Sequence, residues 1–423
     1  MQKKIYKVAI LGVGQRGALY GENIKSLPDL FQIVSLCDKN EERLKAYAEK
    51  FGVKKENLFL AEEEFFKEKR ADVLVIATQD KDHVNHTLKA FQTGYDVLVE
   101  KPLTDSREEC QKLLVSQKKY GCKAFVCHVL RYAPAFLKVA TLIDEGAIGR
   151  LVAIDALERV AYWHQAHSYV RGNWKKSGES TPMILAKCCH DLDLLQFYAK
   201  SKCESVSSIG DLKYFKKESA PVGATKKCVD CPYIEDCPYS AEQIYLKGWK
   251  RAGNPEDSWP YNVLARAPLN EEKLKKAIQT ENYGKCVFYC DNDVVDHQLV
   301  DITFENGVKA HLTMTAFTHG SGRRMTFYGT LGEIVLDEEL HEIVVGRFSS
   351  VEKEIIRIEN LITEDKGYGH GGGDMRLVKS LYDVLQGKEM GATALEASIE
   401  SHLMGICAEE SRLLGGKLVK VHE

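Results

Sequence analysis

Short apolar runs alternate with amphipathic stretches through the first third of the chain. Runs rich in Val and Ile are typical of buried parallel strands, and a segment with helical spacing follows each one. The predicted strands are Tyr6–Leu11, Phe31–Cys37, Val73–Ala77, Asp96–Val99 and Ala124–His128. The predicted helices run from Gly17 to about Ser26, over Glu41–Phe51, Ala61–Lys69 and His83–Thr93, and from a cap at Asp105 or Ser106 to Tyr120. Strand–helix units with short loops predict a doubly wound parallel sheet, an α/β fold.

The pattern changes after residue 128, where long strand-like runs separated by hairpin signals such as Glu305-Asn306-Gly307 dominate. The predicted strands are Leu151–Arg159, Val294–Phe304, Val308–Phe317, Arg323–Gly329, Glu333–Leu336 and Ile343–Val345. The predicted helices are Ala133–Glu145, a stretch from near Met183 to Ala199, Asp374–Leu385 and Leu395–Leu414. We therefore expect two domains, residues 1–128 and 129–423, the second α+β with an open, largely antiparallel sheet. A polar, Cys-containing insertion is expected at about 203–284.

A glycine-rich turn, Gly12-Val13-Gly14-Gln15-Arg16-Gly17, joins the first strand to the first helix. The first Gly permits the tight turn, the second lets the backbone approach a pyrophosphate, and the third allows close helix packing. Asp38 ends the second strand, where an acid binds the adenosine ribose hydroxyls of a Rossmann domain and disfavours a 2′-phosphate. NAD is therefore expected over NADP, although Lys39 and Arg43 lie close by. A glycine turn in an unrelated strand–helix unit is the alternative.

The tripeptide Glu100-Lys101-Pro102 directly follows the predicted strand Asp96–Val99. It places an ammonium at the carboxyl edge of the parallel sheet, where such folds hold their ligands. A lysine at this edge, after a complete dinucleotide fingerprint, indicates an enzyme that moves hydride between a nicotinamide and a hydroxylated substrate.

Composition excludes several classes of partner. The net charge of the 423 residues is −3 with both signs interspersed, which implies no nucleic acid and no anionic membrane surface as a partner. We find no apolar stretch long enough to span a bilayer and no export signal after the first lysines. A cytoplasmic location is therefore expected.

The chain has 13 cysteines, and an odd number without an export signal indicates thiols or metal ligands. Cys228, Cys231 and Cys237 have the spacing of a metal knuckle, with prolines directly after two of them. A structural zinc is predicted on these three and a fourth cysteine, for which Cys286 is preferred. The other candidates for the fourth ligand are Cys203, Cys290 and Cys189. An iron–sulfur cluster, a redox dithiol and plain buried thiols are the alternatives.

A dense set of aromatic and polar residues follows the last strand of the first half. It comprises Arg131, Tyr132, Trp163, His164 and Arg171. Sugars offer apolar C–H faces and a hydroxyl rim, so their sites combine an aromatic platform with hydrogen-bonding groups. A subunit interface recruits the same residue types and is the alternative. His370, in the glycine-rich loop 367–374, is either part of the site or in a flexible turn before a helix capped by Asp374.

The order of these features resembles the Gfo/Idh/MocA family of oxidoreductases over nearly the whole chain. The resemblance rests on the fingerprint, Asp38, the stretch from Ala77-Thr78 to His83, the Glu-Lys-Pro triplet and His190 in Lys187-Cys188-Cys189-His190-Asp191-Leu192-Asp193. It implies NAD, a sugar or cyclitol substrate, and a homo-oligomer formed through the C-terminal sheet. Lys101 would orient the reacting hydroxyl and relay its proton, and His190 would be the general base.

The resemblance also implies two sets of binding residues. Cofactor contacts are expected from Gly12, Gly14, Gln15, Arg16, Gly17, Asp38, Thr78, His83, Glu100 and Lys101. Substrate contacts are expected from Lys187, Asp193 and His370 in addition to the aromatic and polar set.

One position departs from the family pattern. Many members have an aspartate four residues before the histidine, where a helix would bring it beside the imidazole, and here that residue is Ala186. Lys187 would lower the pKa of His190, and Asp191 and Asp193 are the nearest carboxylates in sequence.

We therefore expect an NAD-dependent oxidoreductase acting on a sugar, cyclitol or glycoside. The missing aspartate and the extra histidines are also compatible with redox-neutral glycoside hydrolysis through transient hydroxyl oxidation. A non-enzymatic NAD-binding sensor is the third hypothesis, and the presence of Lys101 and His190 argues against it.

Overall fold

A computed structural model of the protein describes residues 4–362, 369–388 and 393–422. Its first sheet has six strands in the order β3-β2-β1-β4-β5-β6, and every pair is parallel. These strands are β1 Tyr6–Leu11, β2 Phe31–Cys37, β3 Leu58–Phe59, β4 Val73–Ile76, β5 Asp96–Val99 and β6 Ala124–Val126. The predicted doubly wound parallel sheet is confirmed. Its strand order reverses between β1 and β4, and ligands of such sheets bind at the carboxyl ends beside that point.

Helices cover both faces of this sheet because its strands are apolar on both sides. Val8 and Ile10 pack into one core and Ala9 and Leu11 into the other. The helices are α1 Gln15–Lys25, α2 Glu41–Phe51, α3 Glu62–Phe65, α4 His83–Thr93 and α5 Arg107–Tyr120. The predicted cap of α5 is Ser106, whose side chain accepts a hydrogen bond from the backbone N–H of Glu109.

The second sheet has nine strands in the order β14-β13-β12-β11-β7-β10-β9-β8-β15. Only β7 and β10 pair in parallel, so the sheet is mixed and largely antiparallel, as predicted. Its strands are β7 Leu151–Arg159, β8 Cys203–Asp211, β9 His297–Phe304, β10 Lys309–Thr315, β11 Gly322–Gly329, β12 Gly332–Asp337, β13 Glu342–Arg347, β14 Glu354–Arg357 and β15 Val419–Lys420.

Some helices of the second half pack on this sheet, some lie in the insertion, and others pack against the first sheet. They are α6 Pro134–Asp144, α7 Tyr162–His164, α8 Met183–Ala186, α9 Cys189–Ala199, α10 Gly248–Arg251, α11 Tyr261–Leu264, α12 Glu271–Thr280, α13 Gly373–Leu385 and α14 Leu395–Leu413. Two segments have π-helical geometry, Gln165–Arg171 and Glu242–Lys247. None of the helices in the described part of the chain is long and apolar enough to cross a membrane.

The C-terminal helices join the two sheets. Leu377 and Leu381 of α13 are buried in the same core as Val8 and Ile10 of β1. Helix α14 contributes Ile399 to the other core of the first sheet. The end of the chain therefore packs against the beginning.

Some predicted elements are shorter than expected: the helix at Ala61–Lys69 is Glu62–Phe65, and the strand at Val294–Phe304 is His297–Phe304. Three other departures concern the active site or the insertion. The helix expected from near Met183 to Ala199 is broken between Ala186 and Cys189, which gives α8 and α9. Residues from Cys203 form β8 of the main sheet, so the polar insertion begins later than expected. Cys286 and Cys290 lie in a turn rather than on one face of a strand.

The insertion also has a hydrophobic core of its own, although its sequence is polar. Phe215, Tyr245 and Leu274 are fully buried there and pack together with other apolar residues of the segment. A few large side chains in favourable positions are enough, because each aromatic ring buries a large apolar area.

The glycines of the fingerprint divide into two kinds. A Cβ on Gly17 would lie 1.9 Å from the carbonyl oxygen of Gly12, and one on Gly12 would lie 2.6 Å from that of Ala77. Gly12 also has φ of +87°, which favours glycine. A Cβ on Gly14 would meet only the Arg43 guanidinium, at 3.8 Å. The first and third glycines are therefore required by packing, and the second faces open space.

We expect Gly17→Ala to lower the thermal unfolding midpoint of the cofactor-free protein, because its Cβ would overlap a backbone oxygen. Overpacking of this kind costs typically about 1–3 kcal/mol. Gly14→Ala is the matched control and should unfold close to the wild-type midpoint. Circular dichroism melts compare the three proteins, and an unchanged midpoint for Gly17→Ala would contradict the packing role.

Candidate active site

Lys101 extends from the carboxyl edge of the first sheet to the second domain. Strand β5 ends at Val99, and the Lys101 ammonium donates a hydrogen bond to the carbonyl oxygen of Ala186 at 3.1 Å. That carbonyl lies at the break between α8 and α9. At residue 186, where the family pattern has an aspartate side chain, this chain presents a backbone carbonyl, which binds Lys101 directly.

Glu100 anchors the strand end behind the lysine. Its Oε1 accepts hydrogen bonds from Arg16 Nε at 2.6 Å and from the Tyr20 hydroxyl at 2.8 Å, and its Oε2 accepts one from the Lys101 N–H at 3.0 Å. Burial raises the pKa of Glu100, but Arg16 and Lys101 outweigh it and hold that pKa below its usual value. Glu100 is thus ionised, and its hydrogen bonds fix the end of the strand behind Lys101.

Two histidines hold the loop after Lys101 in place. The Nδ1 of His83 donates to the Pro102 carbonyl at 2.7 Å, and the Nε2 of His402 accepts from the Leu103 N–H at 2.8 Å. His83 is 1% exposed, so it joins loops of the sheet edge rather than presenting its ring to a ligand. His402 lies on α14, about 300 residues away from the loop in sequence, and no local signal in the sequence points to it.

His190 lies in the first turn of α9 and is buried. Its Nδ1 has no hydrogen-bond partner among the described residues, which marks a place for a ligand's polar group. Burial lowers the pKa of His190 well below its usual value, and the Lys101 ammonium lowers it further, followed by His128 and His370. The predicted direction is therefore observed, but its causes are burial and Lys101 rather than Lys187. The imidazole is neutral and able to accept a proton.

The carboxylates nearest to His190 in sequence are bonded elsewhere. Asp191 Oδ1 accepts from Arg323 Nε at 2.8 Å, and Asp193 Oδ2 accepts from Arg131 Nε at 2.6 Å. Neither replaces the aspartate that is absent at residue 186.

His370 occupies the space beside His190 instead. The two ring centroids are 6.0 Å apart, and His370 Nδ1 bonds Asp374 Oδ2 at 2.8 Å. Asp374 Oδ1 also accepts from Arg16 Nη2 at 2.6 Å. Burial would raise the pKa of Asp374, but the bonds from His370 and Arg16 lower it to about 2. His370 is thus brought to the candidate site.

The expected cap at Asp374 is wrong, because Gly372 is the cap of α13 and Asp374 lies in its first turn. Gly367 and Tyr368 of the same loop lie outside the described residues.

Lys187 belongs to a buried ionic network behind His190. Its ammonium lies 2.9 Å from Glu158 Oε1, and Glu158 Oε2 lies 3.0 Å from Arg323 Nη2. Burial raises the pKa of Asp191 to about 7 although Arg323 opposes the shift, and Glu158 adds to it. The charge of Lys187 is therefore compensated by protein groups.

Trp163 and His164 form an aromatic cluster with Trp259 of the insertion. Trp259 lies 5.4 Å from Trp163 and 5.0 Å from His164 between ring centroids. Burial lowers the pKa of His164 well below its usual value, and Lys187, His167 and Lys101 add to this, which places the cluster within electrostatic reach of the reactive lysine. Trp259 was not singled out from the sequence, where its signal is an isolated Trp-Pro in a polar segment.

Other expected substrate contacts lie elsewhere. Arg131 and Asp193 form a buried ion pair with each other, and the Tyr132 hydroxyl lies 3.0 Å from Thr393 Oγ1. Arg171 donates to the carbonyls of Lys285 and Tyr239 within the insertion. These side chains are thus engaged by protein groups, and their contact with a substrate stays a prediction.

The cofactor residues surround the carboxyl edge of β1 and β2. Asp38 Oδ2 accepts from the Val13 N–H and Oδ1 from the Asn40 N–H, both at 2.8 Å, so the carboxylate is fixed at the end of β2. Arg43 Nη1 lies 3.5 Å from Asp38 Oδ2. With the open space at Gly14, this arrangement fits a dinucleotide whose pyrophosphate approaches the glycine turn and whose ribose approaches Asp38.

The other expected cofactor contacts are mostly engaged by protein groups. Arg16 turns inward to Glu100 and Asp374, as described above. Thr78 Oγ1 lies 2.9 Å from His86 Nδ1, and Gln15 Nε2 donates to Asn262 Oδ1 of the insertion at 2.9 Å.

The predicted zinc centre is not supported. Cys228, Cys231, Cys237 and Cys286 line one small cavity, but the described residues include no group of three or more His, Cys, Asp or Glu placed to hold a metal. Burial raises the pKa of Cys237 and raises that of Cys286 to about 11. All 13 cysteines are free.

Comparisons with known proteins agree with this architecture. The chain matches the family models "Oxidoreductase family, NAD-binding Rossmann fold" over residues 6–128 and "Oxidoreductase family, C-terminal alpha/beta domain" over residues 140–417. It is 25% identical over 394 residues to "Putative oxidoreductase YteT" of Bacillus subtilis (strain 168), which covers 86% of this chain and 87% of that protein.

Two further relatives have more specific names. The chain is 27% identical over 207 residues to "scyllo-inositol 2-dehydrogenase (NAD(+))" of Bacillus subtilis (strain 168), covering 48% of this chain and 57% of that one. A solved structure of levoglucosan dehydrogenase in complex with NADH and levoglucosan has the same fold, with a TM-score of 0.71, 17% identity and coverage of 99% and 100%.

The match to the C-terminal family model spans more than half of the chain, and the Rossmann match covers the edge that carries Lys101. The chain therefore belongs to the Gfo/Idh/MocA family and is an NAD-dependent oxidoreductase.

Proposed function

We propose that the protein transfers hydride between NAD and a carbinol carbon of a sugar, cyclitol or glycoside. The observation that carries this proposal is the buried, unpartnered Nδ1 of a neutral His190 beside the Lys101 ammonium. In the oxidising direction the carbinol carbon would lose a hydride to bound NAD and become a carbonyl, and His190 would take the hydroxyl proton. Relatives named as dehydrogenases and a reductase of inositols and anhydro sugars support this class of substrate.

When bound, NAD supplies the hydride acceptor, and the protein's own residues do the rest. The turn Gly12–Gly17 and Asp38 would hold the dinucleotide. Lys101 binds the reacting hydroxyl oxygen and stabilises the negative charge that develops on it as the proton leaves. Burial and the same ammonium lower the pKa of His190, so its imidazole is neutral and able to accept a proton.

His370 is placed to act next to His190. Its side chain is 39% exposed, whereas His190 is buried, and Asp374 fixes its ring orientation. We propose that His370 binds a second substrate hydroxyl and lies on the route by which a proton from His190 reaches solvent. Trp163 and His164 would contact the substrate from the opposite side.

Net glycoside hydrolysis gains no support from the relatives, whose names describe oxidoreductases. The homo-oligomer through the second sheet, the absence of nucleic-acid partners and the cytoplasmic location stay predictions.

We expect NAD to bind at least tenfold more tightly than NADP, a difference of about 1.4 kcal/mol. The carboxylate of Asp38 is fixed at the ribose end of β2, where it repels a 2′-phosphate. Calorimetric titration with both cofactors measures the ratio, and Asp38→Asn should reduce it. Equal or tighter NADP binding to the wild-type protein would contradict the assignment.

We expect Lys101→Met and His190→Ala each to lower kcat by roughly a hundredfold or more, because each removes a group that handles the hydroxyl proton. NAD affinity should change little, since neither side chain shapes the glycine turn. Lys118→Met on α5 and His311→Ala on β10 are matched controls away from the site. Near wild-type turnover in either test variant would exclude that residue from catalysis.

We expect the acidic limb of the kcat/KM profile for oxidation to lie below pH ~6.5, the ordinary imidazole pKa. A base whose pKa is lowered stays unprotonated, and therefore active, to more acidic pH. His370→Asn should move this limb upward, because His370 is one of the groups that lower the pKa of His190. His311→Asn serves as the control, and an acidic limb above that value in the wild-type enzyme would contradict a neutral buried base.

A further inference from the structure

One part of the insertion lies across the edge of the first domain. We call residues 255–266 the insertion arm. Its Asn262 accepts a hydrogen bond from Gln15 of the glycine turn at 2.9 Å and donates one to Asp257 within the arm at 2.8 Å. Arg266 at the end of the arm forms an ion pair with Glu42 of α2. The arm therefore contacts both the glycine turn and the helix that follows Asp38.

Trp259 is the aromatic residue of this arm that meets the second domain. Its ring packs at 5.4 Å from Trp163, 5.0 Å from His164 and 5.3 Å from His167 between centroids. In spite of these contacts, 38% of its surface stays exposed. A large aromatic ring that is held by three others and still open to solvent is a ready surface for a ligand with an apolar face.

The cluster is connected to the carboxyl edge of the first sheet. His164, against which Trp259 packs, feels the charges of Lys187 and Lys101. Trp174, a little further along the same segment, donates from Nε1 to Asp80 Oδ2 at 3.1 Å, in the loop that follows β4. The aromatic segment is thus tied to the carboxyl edge of the first sheet, where Lys101 also lies.

We propose that Trp259 is the ring platform of the substrate site. A six-membered sugar or cyclitol ring would place its C–H face on the indole and its hydroxyl rim toward Lys101 and His190. This assignment rests on the proposed function and adds to it a residue from the insertion that selects for cyclic substrates. An acyclic polyol or a small hydroxy acid has hydroxyl groups but no rigid apolar face, so it gains little from the indole.

The arm also connects this platform to the cofactor site. Asn262 lies three residues after Trp259 and bonds to Gln15, which is part of the turn that would hold the pyrophosphate. This bond joins the arm that carries the indole to the glycine turn, and the insertion contributes to the site from outside both sheets.

Steady-state kinetics of the full chain with NAD test the platform, using a panel of cyclic sugars and inositols beside acyclic polyols of equal carbon number. Trp259→Ala should raise KM for the cyclic substrates about tenfold, as expected when a stacking contact worth about 1.4 kcal/mol is lost. The kcat should stay within about threefold, because Lys101 and His190 remain in place. Trp259→Phe keeps an aromatic face and should restore most of the affinity.

Two controls separate stacking from folding. Val263→Ala truncates a neighbouring exposed, non-aromatic side chain of the arm. It should leave the KM unchanged, because it removes no stacking surface. The NAD affinity of Trp259→Ala should match that of the wild type, which shows that the variant is folded. An unchanged KM in Trp259→Ala, or an equal rise for cyclic and acyclic substrates, overturns the platform.

The outcomes distinguish this inference from the proposed function. Wild-type turnover that favours acyclic substrates overturns the platform and leaves hydride transfer by Lys101 and His190 intact. If the wild-type protein forms no NADH with any hydroxylated compound, the proposed function fails and the platform fails with it.

Discussion

An ionic contact between the half-buried guanidinium of Arg16 and the buried carboxylates of Glu100 and Asp374 holds the candidate site together. Arg16 lies on α1, Glu100 follows β5 and Asp374 lies on α13, so one guanidinium joins three elements that are distant in sequence. Loss of the guanidinium would leave two buried carboxylates without their partner, which is destabilising. The fold therefore depends on this contact, and the position of Lys101, directly after Glu100, depends on it as well.

The same contact sets the electrostatics of the reactive groups. The negative charge of Glu100 is balanced by Arg16 and by Lys101, which hold the pKa of that carboxyl below its usual value although burial raises it. The Lys101 ammonium in turn adds to burial in keeping His190 neutral. Asp374 orients His370, and so the histidine pair is linked through Arg16 to the helix of the glycine turn. Where the family pattern has an aspartate, this chain uses the Ala186 carbonyl and a second histidine.

The insertion extends the candidate active site beyond the two sheets. Its polar sequence suggested a segment that needs a metal for order, yet buried aromatic and aliphatic side chains give it a core. It packs Trp259 against the aromatic residues near Lys101 and places Asn262 on the glycine turn. A surface elaboration of this kind can alter the substrate without altering the machinery of hydride transfer.

Local elements and the chemistry of the sheet edge follow from short stretches of the sequence. The strands Tyr6–Leu11, Phe31–Cys37 and Asp96–Val99 were predicted to the residue, because apolar runs and their turn signals are local properties. The glycine turn, Asp38 and the Glu-Lys-Pro triplet likewise carry their meaning in short spacings. Which side chains are already engaged by protein groups depends on the three-dimensional packing. Arg131 is bound by Asp193, and Lys187 is bound by Glu158. His370, in contrast, reaches His190. These contacts join segments that are distant in sequence. Burial and charge pairing there depend on how the segments pack, so the spacing of residues along the chain does not predict them.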